Sequence, residues 1–151
     1  METLEQKLQV KEQEVADIRQ QIKDRNEVNK PKDVTDAFKT FDDCCKSPYM
    51  TQRDLVFLDF QEKLQRDELA FFRKKVIAKA LNEGYRFKSI DKRWYVWYDV
   101  SSGFVFHTTT YDDSFANTSS ASRLCFKKKE LAEHYVKYFK DEDETFIDLA
   151  D

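Results

Sequence analysis

Glycine and proline are scarce, with two of each in 151 residues, which argues against a loop-rich sandwich and favours long ordered helices. Cysteine is equally thin. Three residues, two of them adjacent at Cys44 and Cys45, give neither a disulfide framework nor a CxxC metal pattern, and read best as buried thiols. No apolar run approaches the ~18 residues that span a membrane. The opening Met1-Glu-Thr-Leu-Glu-Gln-Lys7 lacks the apolar stretch of a signal peptide, so a cytoplasmic location is expected. Only His107 and His134 could supply imidazole, and GxSxG, glycine-rich phosphate loop and HExxH are all missing. No catalytic set, metal or cofactor is therefore expected, and Asp42-Asp43 and Asp112-Asp113 read as solvated charges. A cysteine nucleophile with His107 as base is left open, because such partners converge in space and not along the chain.

What the chain has is charge and rings. Lys and Arg number 26, Asp and Glu 29, Phe 13, Tyr 7 and Trp 2. The net charge of −3 conceals a separation of sign: residues 1–72 carry 12 basic against 16 acidic groups, residues 73–140 carry 14 against 7, and residues 141–151 carry 6 acidic groups and no basic one. Such polarity bears on partners and self-contacts rather than on fold. Either the basic middle meets a polyanion or an acidic protein face, or the acidic tail folds back onto its own domain.

Four organisational units are expected. Leu4, Leu8, Val15, Ile18 and Ile22, with Lys11 in the vacant seam position, repeat at heptad spacing over residues 1–26, a helical arm suited to self-association or a helical partner. Lys7 precedes Glu12 by five residues and Glu14 precedes Arg19 by five, the spacing that bridges chains in a parallel dimer. Residues 27–32 form a linker around Pro31. Residues 33–140 form the folded domain, and 141–151 an acidic tail. Within the domain, Asp33 is a helix N-cap ahead of an apolar face of Val34, Phe38, Phe41 and Cys45. Thr51-Gln-Arg-Asp54 is a capping box, a break falls near Arg66-Asp67, where Asp67 is placed to cap a new helix, and Gly84 ends a helix. A last helix spans Lys128 to Lys140.

Between the helical stretches lie three β-type runs: Arg93-Trp-Tyr-Val-Trp-Tyr98, Gly103 to Tyr111, and Ser122-Arg-Leu-Cys-Phe126. Their rings, β-branched residues and intervening turns at Asp99–Gly103 and Asp112–Ser122 predict an α+β fold, a three-stranded antiparallel meander covered by the C-terminal helix. Along the second run, Phe104, Phe106 and Thr108 are expected on one face, with Val105, His107 and Thr109 on the other. Phe72, Val76, Leu124, Phe126, Leu131, Tyr135 and Phe139 are expected to share a core. Rings beside cations are also how small sheets hold single-stranded nucleic acid. The expected partner surface is Arg93, Trp94, Tyr95, Trp97 and Tyr98 with Arg123, Lys127, Lys128 and Lys129.

The strings Ala80-Leu-Asn-Glu-Gly84, Ser122-Arg-Leu-Cys-Phe-Lys127, Glu130-Leu-Ala-Glu133 and Lys39-Thr-Phe-Asp-Asp-Cys-Cys45 resemble a family of small, largely uncharacterised phage and prophage proteins. The likeness runs from Pro31 to Phe139. The chain departs from it at Lys128, where a capping serine is expected, and at Asp141–Glu144, where relatives continue as apolar helix. The resemblance implies a mobile-element accessory protein with no enzymatic activity, and carries over no catalytic residue. By analogy, such a protein would be an anti-CRISPR-like inhibitor binding a host CRISPR effector nuclease, possibly an RNA-targeting one, or its guide RNA. The other reading is a phage regulatory protein that holds single-stranded nucleic acid directly. A virion or scaffold role would rest on the arm alone.

Overall fold

A computed structural model describes residues 4–28, 30–88, 90–99, 105–112 and 124–147. The chain divides into two units, Met1–Lys32 and Asp33–Asp151. In the first, α1 (Leu4–Val28) is one continuous helix on which every side chain described from Gln6 to Asp24 is exposed.

The second unit starts with short helices set by side-chain caps. Asp33 Oδ1 accepts from the Thr35 backbone N–H at 2.8 Å and opens α2 (Val34–Ala37). Thr40 and Asp43 exchange bonds of 2.9 and 3.1 Å at the head of α3 (Phe41–Cys45). The single helix expected from Asp33 is thus two, because Thr40-Phe-Asp-Asp43 carries its own cap and restarts the chain after Phe38. Asp54 Oδ2 accepts from both the Thr51 N–H (2.8 Å) and its hydroxyl (2.5 Å), starting α4 (Gln52–Leu55). A 3-10 helix, Val56–Lys63, follows. At the predicted break, Glu68 Oε2 accepts from Gln65 N–H at 2.9 Å and begins α5 (Arg66–Leu81). The capping pair is Gln65–Glu68, not Asp67.

Helix α5 is the axis of this unit. Val76, Ile77, Ala78, Ala80 and Leu81 are all buried, so its C-terminal half is covered on more than one face, as a central helix must be. It ends in a Schellman turn: Gly84 N–H donates to Lys79 O at 2.9 Å and Glu83 N–H to Ala80 O at 3.0 Å. Glu83 (φ 56°) and Gly84 (φ 69°) both adopt left-handed backbone. Against α5 lies α6 (Lys129–Ile147). Val76, Phe126, Leu131, Tyr135 and Phe139 join one core with Phe38, Cys44 and Phe57, Phe72 packing at its edge. Leu124, expected there, is half-buried outside it.

The predicted α+β class with a three-stranded sheet is overturned. The described residues are mainly helical, and β1 (Arg93–Asp99) and β2 (Val105–Asp112) form only a two-stranded antiparallel ribbon. The third run, of which Leu124–Phe126 is described, contributes a single bridge, with Trp94 N–H to Phe126 O at 2.8 Å and Phe126 N–H to Trp94 O at 2.9 Å. Its other edge is taken by the buried Asn82, whose Nδ2 donates to Cys125 O (2.7 Å) while Oδ1 accepts from Lys127 N–H (2.8 Å). An amide side chain replaces a neighbouring strand, and the chain turns into α6 at Lys129. In the ribbon Trp97 pairs with Thr108 and Tyr98 with Phe106. His107 is the skipped residue, a β-bulge that interrupts the strict alternation expected along this run. Phe104, Arg123 and the predicted turns at 100–103 and 113–122 lie outside the described residues.

The last helix also differs from expectation. It continues past Lys140 to Ile147, with a kink at Phe139 (φ −133°, ψ 15°). The acidic stretch from Asp141 is therefore partly helical and part of this unit's structure. Glu142 Oε1 pairs with Arg73 at 2.8 Å, and the buried Asp143 pairs with Lys74. Among the described residues no helix is long and apolar enough to cross a membrane.

Candidate functional site

The ribbon separates the expected partner residues. Along β1, Trp94 and Val96 pack on the core, and the Tyr98 hydroxyl donates to Asp143 Oδ2 at 2.6 Å. Arg93, Tyr95 and Trp97 alternate onto the opposite face, where Trp97 is 55% exposed. Burial, then the Asp143 carboxylate, pushes the Tyr98 phenol far above its usual range, so Tyr98 is a structural donor. Lys127 is engaged by Glu83, and Lys129 Nζ lies 3.2 Å from Glu133. Lys128 is exposed. The lysine cluster is thus mostly engaged within its own unit.

The more coherent concavity lies elsewhere. A cleft of about 740 Å³ opens between the start of α4, the 3-10 helix, α5 and the segment after Gly84. Its walls carry four cations, Arg53, Lys75, Lys79 and Arg86, against one carboxylate, Asp54, together with the rings of Phe57, Phe60, Phe72, Tyr85 and Phe87. That volume is within the ~300–1,000 Å³ typical of ligand clefts. The Schellman turn creates one wall, because two successive left-handed residues carry the chain out of α5 and let Tyr85, Arg86 and Phe87 flank the same space as Lys75 and Lys79.

The rim is ordered by local contacts. Tyr85 and Phe87 meet edge to face at 5.3 Å, and Asp91 Oδ2 accepts from Tyr85 OH (2.9 Å) and Lys88 N–H (2.6 Å). The Arg93 guanidinium stands 5.8 Å over the Phe87 ring, with Nη2 donating to Lys88 O at 2.8 Å. Arg93 is therefore where the predicted β1 face meets the cleft. Phe60 and Tyr85 are exposed rings, and Arg53 and Arg86 are exposed cations. Neither Arg makes a side-chain hydrogen bond or ion pair among the described residues.

Lys79 Nζ reaches Asp54 Oδ2 at 2.6 Å across the cleft. Burial raises the Asp54 carboxyl, but the bonds from Lys79 and Thr51 outweigh it and leave the group below its usual value of 3.8. A depressed carboxylate stabilises the fold above its unfolded value and loses that contribution as pH falls through the folded one. An Asp54→Asn chain should therefore lose less stability than the parent as pH falls below 3.8, read from urea midpoints along the pH series.

Other candidates have structural employment. Burial pushes the Cys44 and Cys125 thiols up to about 12, leaving both protonated at neutral pH. His134 Nε2 lies 2.6 Å from Phe38 O. A carbonyl only accepts, so this nitrogen carries a proton and the ring ties α6 to the end of α2. The side chain of His107 is not among those described. Among the described residues no group of three or more His, Cys, Asp and Glu is arranged to hold a metal ion.

The motif strings find a physical meaning here. Asn82 and Glu83 of Ala80–Gly84 hold Cys125 and Lys127 of Ser122–Lys127, so the two strings meet as a fold-stapling contact. Sequence reasoning overlooked the cleft because its cations are spread over α4, α5 and a loop. The one available signal was the basic excess of residues 73–140, with Tyr85-Arg-Phe87 as alternating ring and cation. No family model, curated protein or solved structure matches the chain.

Proposed function

We infer that this chain is a non-enzymatic binding protein that takes single-stranded RNA along the cleft, stacking bases on exposed rings and meeting phosphates with Arg53, Lys75 and Arg86. The observation that carries the reading is one carboxylate among four cations in a cleft edged by Phe60, Tyr85 and Phe87. Every base offers a π-face to such rings, and phosphate contacts add affinity without sequence preference. An acidic protein surface would satisfy the cations but would leave the rings without flat partners. In the anti-defence role drawn by analogy for such an accessory protein, the strand is the guide RNA of a CRISPR effector nuclease, and the protein inhibits by occupying it.

Fluorescence anisotropy with a labelled single-stranded RNA tests this. The parent should bind with a salt slope near −0.7 per phosphate contacted. Arg53→Glu with Arg86→Glu should flatten that slope by about two contacts, and Tyr85→Ala should weaken binding by about 1–3 kcal/mol. The double variant should melt like the parent, since both Arg side chains are exposed, and affinity of Tyr85→Ala is compared at a temperature below its own melt, because that change also removes the Asp91 bond and the Phe87 contact. No binding at low salt, or a double variant that binds like the parent, rejects the cleft. Capture of a partner that survives nuclease treatment, without RNA affinity, would move the reading to a protein surface.

The second reading, a nucleic-acid-associated regulatory protein working through the aromatic strand, draws on the exposed Trp97 beside Tyr95 and Arg93. Trp97→Ala separates the two. It should leave cleft binding intact, and a loss of affinity equal to that of Tyr85→Ala favours the strand.

A further inference from the structure

We propose that α1 pairs with a second copy of itself in a parallel, in-register two-stranded coiled coil. On this helix Leu8, Val15, Ile18 and Ile22 are 61, 46, 54 and 55% exposed, and all four fall on one seam of seven-residue repeat. Val10 is exposed too, off the seam. Hydrogen bonds of 2.9 Å from Gln13 to Asp17 and 2.8 Å from Gln20 to Asp24 mark the opposite face. The helix is therefore polar on one side and apolar along the other. Isolated helices gain too little from propensity alone to hold firmly in water, and an apolar stripe of this kind, broken once at Lys11, marks an interaction face.

Flanking charges identify the occupant as another copy rather than an unrelated helix. In a parallel pair, the residue just before one seam position faces, on the other chain, the residue five places later. Lys7 then meets Glu12 of the second copy, and Glu14 meets Arg19. Both charged pairs are opposite in sign, and two-fold symmetry makes each twice. Antiparallel pairing about the middle of the seam would instead oppose Glu14 to Glu14 and Glu12 to Glu12. The seam's one polar member fits as well. Lys11 Nζ lies 2.9 Å from Glu14 Oε2 of its own chain, so its charge is met locally, and one polar residue in the seam lowers the stability of the pair without abolishing it.

Light scattering on the full chain reads the state directly. The parent should approach twice its monomer mass as concentration rises from low to high micromolar. Glu14→Arg alone sets arginine against Arg19 of the other copy, and Arg19→Glu alone sets glutamate against Glu14, so each should weaken the dimer several-fold. Mixed in equal amounts, the two variants present only opposite charges to one another and should form a heterodimer at least as firm as the parent. A parent that stays monomeric at high micromolar concentration overturns the proposal. So does a mixture that associates no better than its components, because parallel register requires the rescue. Circular dichroism on each single variant confirms that Asp33–Asp151 remains folded, and RNA binding by the cleft is scored separately.

Discussion

An Asp143→Ala chain should lose about 3–5 kcal/mol of unfolding free energy, the cost of leaving a buried cation without its counter-charge. The Asp143 and Lys74 side chains are 5 and 13% exposed, and the carboxylate also accepts the Tyr98 hydroxyl at 2.6 Å. One carboxylate thus joins α5, α6 and β1. Without it, the Lys74 ammonium keeps the Phe146 ring face, 4.5 Å away, and a through-space attraction to Glu142, and the Tyr98 hydroxyl loses the Asp143 oxygen. The loss comes from those orphaned groups rather than from the bond itself. Lys74→Met combined with Asp143→Leu should therefore recover most of it, since an apolar pair has no charge to desolvate. Urea curves on the two singles and the double give the coupling. A single Asp143→Ala chain that unfolds at the parent's midpoint would show that Lys74 escapes to water.

This ion pair also explains where sequence reasoning succeeded and where it could not. Caps are local, so Asp33, the Thr51–Asp54 box, the break ahead of α5 and the stop at Gly84 were all legible from adjacent residues. The β1–β2 pairing was legible from ring-rich runs around a turn. The extent of α6 was not, because Asp141-Glu-Asp-Glu144 reads as a solvated tail until Arg73 and Lys74 are brought beside it. Nor was the missing strand. Sequence shows a strand-like Ser122–Phe126, but that Asn82 occupies the far edge of Cys125–Lys127 depends on a contact across 43 positions. The cleft is the extreme case. Lys75 and Lys79 stand four apart on one face of α5, but Arg53 on α4 and Arg86 beyond Gly84 join them only through the fold. The lysines at 127–129 looked like a site because they adjoin in sequence, yet Glu83 and Glu133 engage two of them.

Phe126→Ala should cost a further class of stability, about 3–5 kcal/mol, by opening a cavity where the bridge strand meets both long helices. The ring is 2% exposed and lies 5.2 Å from that of Tyr135, itself buried and next to Phe139 at 5.9 Å. Its backbone is fixed from two directions, by Trp94 and, through its neighbours, by Asn82. The chain therefore has little room to collapse into the void, which puts the cost at the upper part of the range. Trp97→Ala removes a larger ring from the exposed face of β1 and should shift stability by no more than about 0.5 kcal/mol. The two substitutions lie in structures joined by the Trp94–Phe126 bridge, so the contrast isolates burial from aromatic content. Thermal melts of both variants decide it. Equal destabilisation would mean that Trp97 is covered, and a Phe126→Ala chain melting like the parent would mean that α5 and α6 hold together without the bridge strand between them.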